Sequence, residues 1–158
     1  MIRKLSLKDA DVIYEIINQA AQAYKGAIPD DRYHEPYMPK EELYREMESM
    51  FFFGWEEEGK LMGVMGFQPI QDVTLIRHAY VLRDCQRQGI GAKLLSHLRQ
   101  ITKTKYLLVG TWADATWAID FYRKQGFKFM SDKDALLQRY WDVLKRQVET
   151  SVVLGIET

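Results

Sequence analysis

Residues 81–95 read Val81-Leu82-Arg83-Asp84-Cys85-Gln86-Arg87-Gln88-Gly89-Ile90-Gly91-Ala92-Lys93-Leu94-Leu95. An extended apolar run enters a turn bearing two glycines and leaves it as a helix, because Leu94, Leu95, Leu98 and Ile101 recur on one stripe. A helix that opens on glycine leaves its first N–H groups without partners. It aims them, with the positive end of the helix dipole, at whatever lies beyond the strand. A pyrophosphate suits that place. Two common phosphate loops fit poorly. A Walker A loop needs Gly-Lys-Ser/Thr, whereas Gly91 is followed by Ala92-Lys93-Leu94, and a dinucleotide fingerprint needs a small residue where Leu94 stands. From this turn alone, a helix start that binds nothing stays open as an alternative.

The segments around this join set the fold class. Ile2 to Leu5 alternates as a short first strand, and Ser6 or Asp9 is placed to cap a helix whose apolar face is Val12, Ile13, Ile16, Ile17 and Ala20. Gly26 to Pro39 is a loop by its breakers, and Pro39 precedes a helix holding Leu43, Met47 and Met50. Phe51 to Trp55 and Leu61 to Phe67 form a hairpin about Glu57-Glu58-Gly59-Lys60, with Leu61, Met65 and Phe67 on one side. Val73 to Val81 is a third run, and Tyr106 to Trp112 a buried strand. Ala115 to Gln125 is a helix stopped by Gly126. Phe127 to Met130 is a strand; Leu136, Leu137, Tyr140, Trp141 and Leu144 mark a late helix; Val148 to Leu154 is a closing strand. This order predicts a mixed sheet with helices on its faces and at least one parallel pair near the centre. With no repeat or low-complexity linker, residues 1–158 read as one domain.

Composition narrows the function classes. Lys plus Arg and Asp plus Glu both total 22, for a formal net charge of zero, so no broadly basic surface for nucleic acid is expected. Cys85 is the single cysteine, which excludes an internal disulfide and a CxxC metal site. His34, His78 and His97 show no ligand spacing, so no metal is expected. No apolar run reaches the roughly 18 residues of a membrane helix, and the basic start lacks the apolar stretch of a signal peptide. The expectation is a cytoplasmic protein that engages neither nucleic acid nor membrane.

The turn gains meaning from a second segment. Gln86-Arg87-Gln88-Gly89-Ile90-Gly91, followed by Ala118-Ile119-Asp120-Phe121-Tyr122-Arg123-Lys124-Gln125-Gly126-Phe127, resembles the two signatures of the GNAT superfamily of acyl-CoA-dependent N-acyltransferases, in the expected order and separation. The resemblance implies an α/β (α+β) fold: a central mixed, mostly antiparallel sheet of about seven strands with helices on both faces. It implies acetyl-CoA as cosubstrate, without a metal. The amides from Gln88 to Ala92 (Gly89, Ile90 and Gly91 between them) would hold the pyrophosphate, in one turn with Gln86 and Arg87. The strand ending at Val81 would pair with the pantetheine arm and splay from Tyr106–Trp112. A backbone N–H near Val81 would then polarise the thioester carbonyl.

By the same resemblance, Tyr122 would protonate the departing thiolate, a task that suits a phenol of pKa about 10. On residue type alone it reads first as a core aromatic on an amphipathic helix. The sequence departs from the family twice. Ala115 stands where many relatives carry a cofactor-holding Asn, and Leu75 stands where some carry a Glu base. The proton of the amine must therefore go elsewhere: His78 and Asp72 are candidates near the strand, His34 and Glu35 in the early loop.

The acceptor pocket of this fold is framed by the loop between the first two helices. Tyr33, His34, Glu35 and Tyr37 in that loop, with Trp112, offer carboxylate and aromatic faces to an ammonium group; a solvated loop folded onto the core is the alternative. The implied partner is a small-molecule or peptide amine. The closing strand suits either a homodimer contact or an acceptor wall. A domain that holds CoA without turnover is the rival reading, and a small interaction domain whose turn binds nothing is the third.

Overall fold

The computed structural model describes residues 1–141 and 148–158. Its strands are β1 (Ile2–Lys4), β2 (Phe51–Glu57), β3 (Lys60–Ile70), β4 (Val73–Val81), β5 (Tyr106–Trp112), β6 (Lys128–Phe129) and β7 (Ser151–Glu157). They form one sheet in the order β1-β2-β3-β4-β5-β7-β6. Only β4 and β5 run parallel; every other pair is antiparallel. The helices are α1 (Ala10–Ala21), α2 (Lys40–Met47), α3 (Ile90–Ile101), α4 (Thr116–Lys124) and α5 (Lys133–Leu136), the last running on as a wider turn over Leu137–Trp141. The mixed, mostly antiparallel seven-stranded sheet and its central parallel pair match the expected fold class. No described helix is long and apolar enough to cross a membrane.

Each face of the sheet has its own core. On one, Leu94, Leu95 and Leu98 of α3 and Ile119 of α4 pack on Met65, Phe67, Ile76, Leu107, Val109 and Leu154. On the other, Ile13, Ile16 and Ile17 of α1 and Leu43 of α2 pack on Phe52 and Val64, while Leu137 and Tyr140 cover Val73, Leu75, Leu108 and Val153. These stripes are the i, i+3, i+4 rows of the sequence meeting alternate strand positions. Helix α4 ends in a Schellman turn: Gly126 takes φ +95°, its N–H donates to the Arg123 carbonyl, and the Phe127 N–H donates to the Tyr122 carbonyl, both at 3.0 Å. The turn locks the backbone of Tyr122.

Several expectations shift. Val12 is exposed rather than part of the buried face of α1, and Met50 lies beyond the end of α2, though buried. Leu61 packs on the α1 face, opposite Met65 and Phe67. The pairs Trp55↔Gly63 and Glu56↔Leu61 leave Met62 as an extra residue, and a bulge flips the parity of a strand. The last strand spans Ser151–Glu157, with Val148 and Glu149 helical before it. Leu144 lies outside the described residues.

A second bulge matters more. The pairs Val64↔Tyr80 and Gly66↔Arg77 span two steps on β3 and three on β4, and His78 there takes φ +52°, a left-handed conformation rare for a side chain other than glycine. Gly66 faces it: a Cβ on Gly66 would lie 2.5 Å from the Arg77 carbonyl oxygen. Gly66→Ala is therefore expected to lose ~1–3 kcal/mol of stability in urea unfolding. Gly59→Asn, at a turn with φ +77° and open space around it, is expected to lose less than about 1 kcal/mol. Equal stability of Gly66→Ala and wild type would contradict the contact.

Candidate active site

The parallel pairing of β4 and β5 stops at Ile76↔Val109. Past that point β5 stays paired with β7 as far as Trp112↔Ser151, and β4 with β3 as far as Gly63↔Val81. The two strands part while each keeps its outer neighbour. The inner edge of Arg77–Val81 therefore meets no strand, and its N–H and C=O groups suit pairing with an extended ligand.

The glycine turn lies at the far end of this edge. A short helical turn over Arg83–Cys85 is followed by Arg87 and Gly89 in left-handed conformations, φ +66° and +76°. Gly89 is the N-cap of α3, and no side chain caps that end. The first N–H groups of a 12-residue helix are thus presented as an anion site. Between this end and α4 lies a cavity of about 360 Å³. Val81, Gln86, Arg87, Gly89, Ile90, Gly91 and Ala92 line one side of it, and Trp117, Phe121 and Tyr122 the other. The exposed Gln88 is not in the lining. Ala115 is fully buried at the start of α4 and does not reach the cavity. The Gln86 side-chain amide donates to the Val81 carbonyl at 3.3 Å, holding the turn against the open edge.

A second cavity, about 150 Å³, fills the parting of the strands. Arg77, His78 and Tyr80 of β4, Trp112 of β5, and Tyr37 and Trp141 line it. Trp141 packs against Gly110, where a Cβ would lie 3.4 Å from its ring. Tyr24, Ala79, Tyr80 and Tyr122 line both cavities, so Tyr122 stands where the two meet. Its ring is wedged between Phe121 and Phe127, at 5.0 and 5.5 Å between centroids. Its hydroxyl makes no hydrogen bond among the described residues. Burial, with a smaller contribution from Tyr24, pushes the phenol well above its ordinary value, so it stays protonated until a strong base arrives.

The bulge brings an unexpected group, Glu46, against two residues that line the second cavity. In a regular strand Arg77 and His78 would face opposite sides; here both reach Glu46 of α2. Arg77 Nη2 donates to Glu46 Oε1 at 3.1 Å, and His78 Nε2 lies 2.8 Å from Glu46 Oε2, close but not aligned as a finished hydrogen bond. Phe52 stacks on the His78 ring at 6.1 Å. Burial by itself raises the Glu46 pKa, but His78, Arg77 and Arg45 outweigh it and the carboxyl ends below its ordinary value.

The structure thus collects His78, Tyr37, Trp112 and Tyr122 at one opening. It leaves Tyr33, His34 and Glu35 outside the lining. Tyr33 donates to Glu35 at 3.0 Å and His34 Nδ1 lies 2.8 Å from the Pro36 carbonyl, so these groups satisfy one another on the exposed loop. Leu75, fully buried among Leu108, Leu137 and Val153, does not line the opening. Asp72 lies at the other end of β4, accepting from the Tyr140 hydroxyl at 2.6 Å. Sequence reasoning missed Glu46, Arg77, Tyr80 and Trp141. Glu46 alone had a signal: it lies three residues after Leu43 and beside Met47, at the margin of the buried stripe.

The tyrosines give the opening a pH signature. Burial pushes Tyr24 up to about 12, partly offset by Trp117, and raises Tyr80 and Tyr122 in the same direction. A phenol whose folded value exceeds its unfolded value of about 10 contributes stability that is complete below pH 10. That contribution is lost as the pH climbs toward the folded value. Urea unfolding between pH 9 and 12 is expected to show stability falling, and Tyr24→Phe is expected to make the fall shallower by up to about one proton. An unchanged slope in Tyr24→Phe would show that Tyr24 ionises freely in the fold.

Comparisons with known proteins bear on the fold and the family. The model of the acetyltransferase (GNAT) family matches residues 12–127. Among solved structures, the PaiA N-acetyltransferase from Thermoplasma acidophilum in complex with coenzyme A superposes with a TM-score of 0.75 at 20% identity, covering 100% of this chain and 98% of that one. A GNAT family acetyltransferase from Elizabethkingia anophelis with acetyl-CoA bound gives 0.70 at 21%, covering 100% and 97%. The ribosomal-protein-S18-alanine N-acetyltransferase of Escherichia coli gives 0.70 at 20%, covering 99% and 92%. These likenesses carry the fold, and no curated protein matches the chain. With the glycine turn and the Phe-Tyr-x-x-x-Gly-Phe segment both inside the matched span, the chain belongs to the GNAT acetyltransferase family.

Proposed function

We propose that the protein is an N-acetyltransferase that moves an acetyl group from acetyl-CoA to a primary amine by direct attack in a ternary complex. The observation that carries this reading is the junction of the two cavities at Tyr122, with the uncapped start of α3 on one side and the His78 opening on the other. The uncapped amides around Gly89–Ala92 suit the pyrophosphate. The free edge of β4 up to Val81 suits the amide-bearing pantetheine arm, and the apolar walls at Trp117 and Phe121 its methylenes. That two of the similar structures hold coenzyme A or acetyl-CoA supports the same assignment. A cytoplasmic setting belongs to this reading and is in keeping with the free, buried Cys85 thiol.

The residues divide the proton traffic. As the new N–C bond forms and the C–S bond breaks, the amine sheds a proton and the sulfur gains one. His78 accepts the first, and Tyr122, whose phenol burial keeps protonated, supplies the second. The acceptor amine enters between Tyr37, Tyr80 and Trp112, whose ring faces attract an ammonium group. The reading covers small-molecule and peptide amines alike.

Two measurements test it. Titration calorimetry of acetyl-CoA is expected to show binding to wild type and at least ~100-fold weaker binding to Ala92→Glu. The added carboxylate repels pyrophosphate, while the same charge at a helix start favours the fold, so lost binding does not reflect unfolding. In a thiol-release assay over a panel of primary amines, Tyr122→Phe is expected to lower kcat by ~100-fold or more with acetyl-CoA affinity retained. Acetyl-CoA binding without turnover of any amine would favour a silent CoA-binding module. No binding by folded wild type would overturn both readings.

A further inference from the structure

His78 can accept a proton only through a ring nitrogen that has a free lone pair and faces the opening, and a neutral imidazole has one such nitrogen. Which nitrogen it is depends on the partner of the other. The bulge turns His78 so that Nε2 lies 2.8 Å from Glu46 Oε2, within reach of the carboxylate though not aligned as a hydrogen bond, whereas Nδ1 has neither an ion-pair nor a hydrogen-bond partner among the described residues. Glu46 is itself held: Arg77 Nη2 grips its other oxygen at 3.1 Å, and Arg77 Nη1 is tied to Gln68 at 3.3 Å. Phe52, stacked at 19° to the imidazole plane, fixes the ring's tilt. A carboxylate beside one imidazole nitrogen, itself anchored by an arginine, selects the tautomer with its hydrogen on that nitrogen.

We propose that Glu46 is a positioning residue: its carboxylate takes the Nε2–H of His78, leaving the Nδ1 lone pair free to receive the proton of the acceptor amine. The inference rests on the acetyl-transfer reading for its consequence, but the tautomer itself does not. No atom of Glu46 needs to touch the substrate. The arrangement does in α2 and β4 what a glutamate at position 75 cannot do here, because Leu75 is buried among Leu108, Leu137 and Val153. The groups that bear on the pair from the packed elements are Arg45 of α2, Arg77 and Tyr80 of β4, and Tyr37 of the preceding loop. Tyr24 and Tyr122 bear on Tyr80 in turn.

The test is long-range proton–nitrogen NMR of the histidine rings in the full chain at pH 8.5, with His78 identified by its loss in His78→Gln. Wild type is expected to show His78 as the Nε2–H tautomer. In Glu46→Met that preference should collapse to a mixture of both tautomers, while exposed His34 stays unchanged. Glu46→Asp, which keeps the charge but draws it back by one methylene, should fall between them and serves if Glu46→Met fails to fold. Acetyl-CoA affinity by calorimetry should stay within about twofold in either variant, since Glu46 lies outside the cofactor cavity. An Nδ1–H tautomer, an imidazolium at pH 8.5, or a His78 signal indifferent to both substitutions would overturn the proposal, whatever acetyl-CoA does. Absence of acetyl-CoA binding with the tautomer as expected would instead overturn the acetyl-transfer reading and leave the positioning intact.

Discussion

The site depends on one close approach: the carbonyl of Arg77 presses so near Gly66 that no Cβ would fit between them. That contact accompanies the extra residue in β4 and the left-handed turn at His78. Past the bulge β4 cannot continue in register with both neighbours. It keeps β3 and leaves β5, which has β7 to hold it. A parting of strands inside a sheet normally exposes backbone groups at a cost; here each strand retains one full ladder, so the opening is made from two half-satisfied edges rather than from a broken sheet.

The opening needs stiff walls, and the packing supplies them. On the side of the larger cavity, α3 is anchored by Leu94, Leu95 and Leu98, all fully buried, which holds its uncapped start against the strand edge. The Schellman turn after α4 fixes Tyr122 by its own carbonyl, and Phe121 and Phe127 fix the ring. On the side of the second cavity, Glu46 bridges α2 to β4 through Arg77 and His78, so α2 is tied to the bulged end of the strand. The two sides share Tyr24, Ala79, Tyr80 and Tyr122, so three phenols stand at the junction.

Much of this was legible in the residues. The glycine turn, the stop at Gly126, the leucine stripe of α3 and the strand of Tyr106–Trp112 are local patterns, and they appear where those patterns put them. The bulges at Met62 and His78 are not local. Each comes from pairing with a strand whose register no short window contains, and each flips a face: Leu61 went to the α1 side, and His78 came to the same side as Arg77. Glu46 was missed for the same reason, since a charged residue at the margin of a helical stripe reads as solvated until the strand opposite supplies its partners. Tyr33, His34 and Glu35 had the composition of a binding loop, but their hydrogen bonds close on one another and on Pro36.

In the proposed function, the free edge of β4 and the uncapped start of α3 together receive acetyl-CoA. The most direct measurement follows backbone amide shifts of the nitrogen-15-labelled protein as CoA is added. The largest changes are expected at Tyr80 and Val81 and at Gly89–Ala92, with residues at the far rim such as Arg3, Asp9 and Lys60 unmoved. Changes concentrated at that rim, or a saturating response that spares Gly89–Ala92, would contradict it.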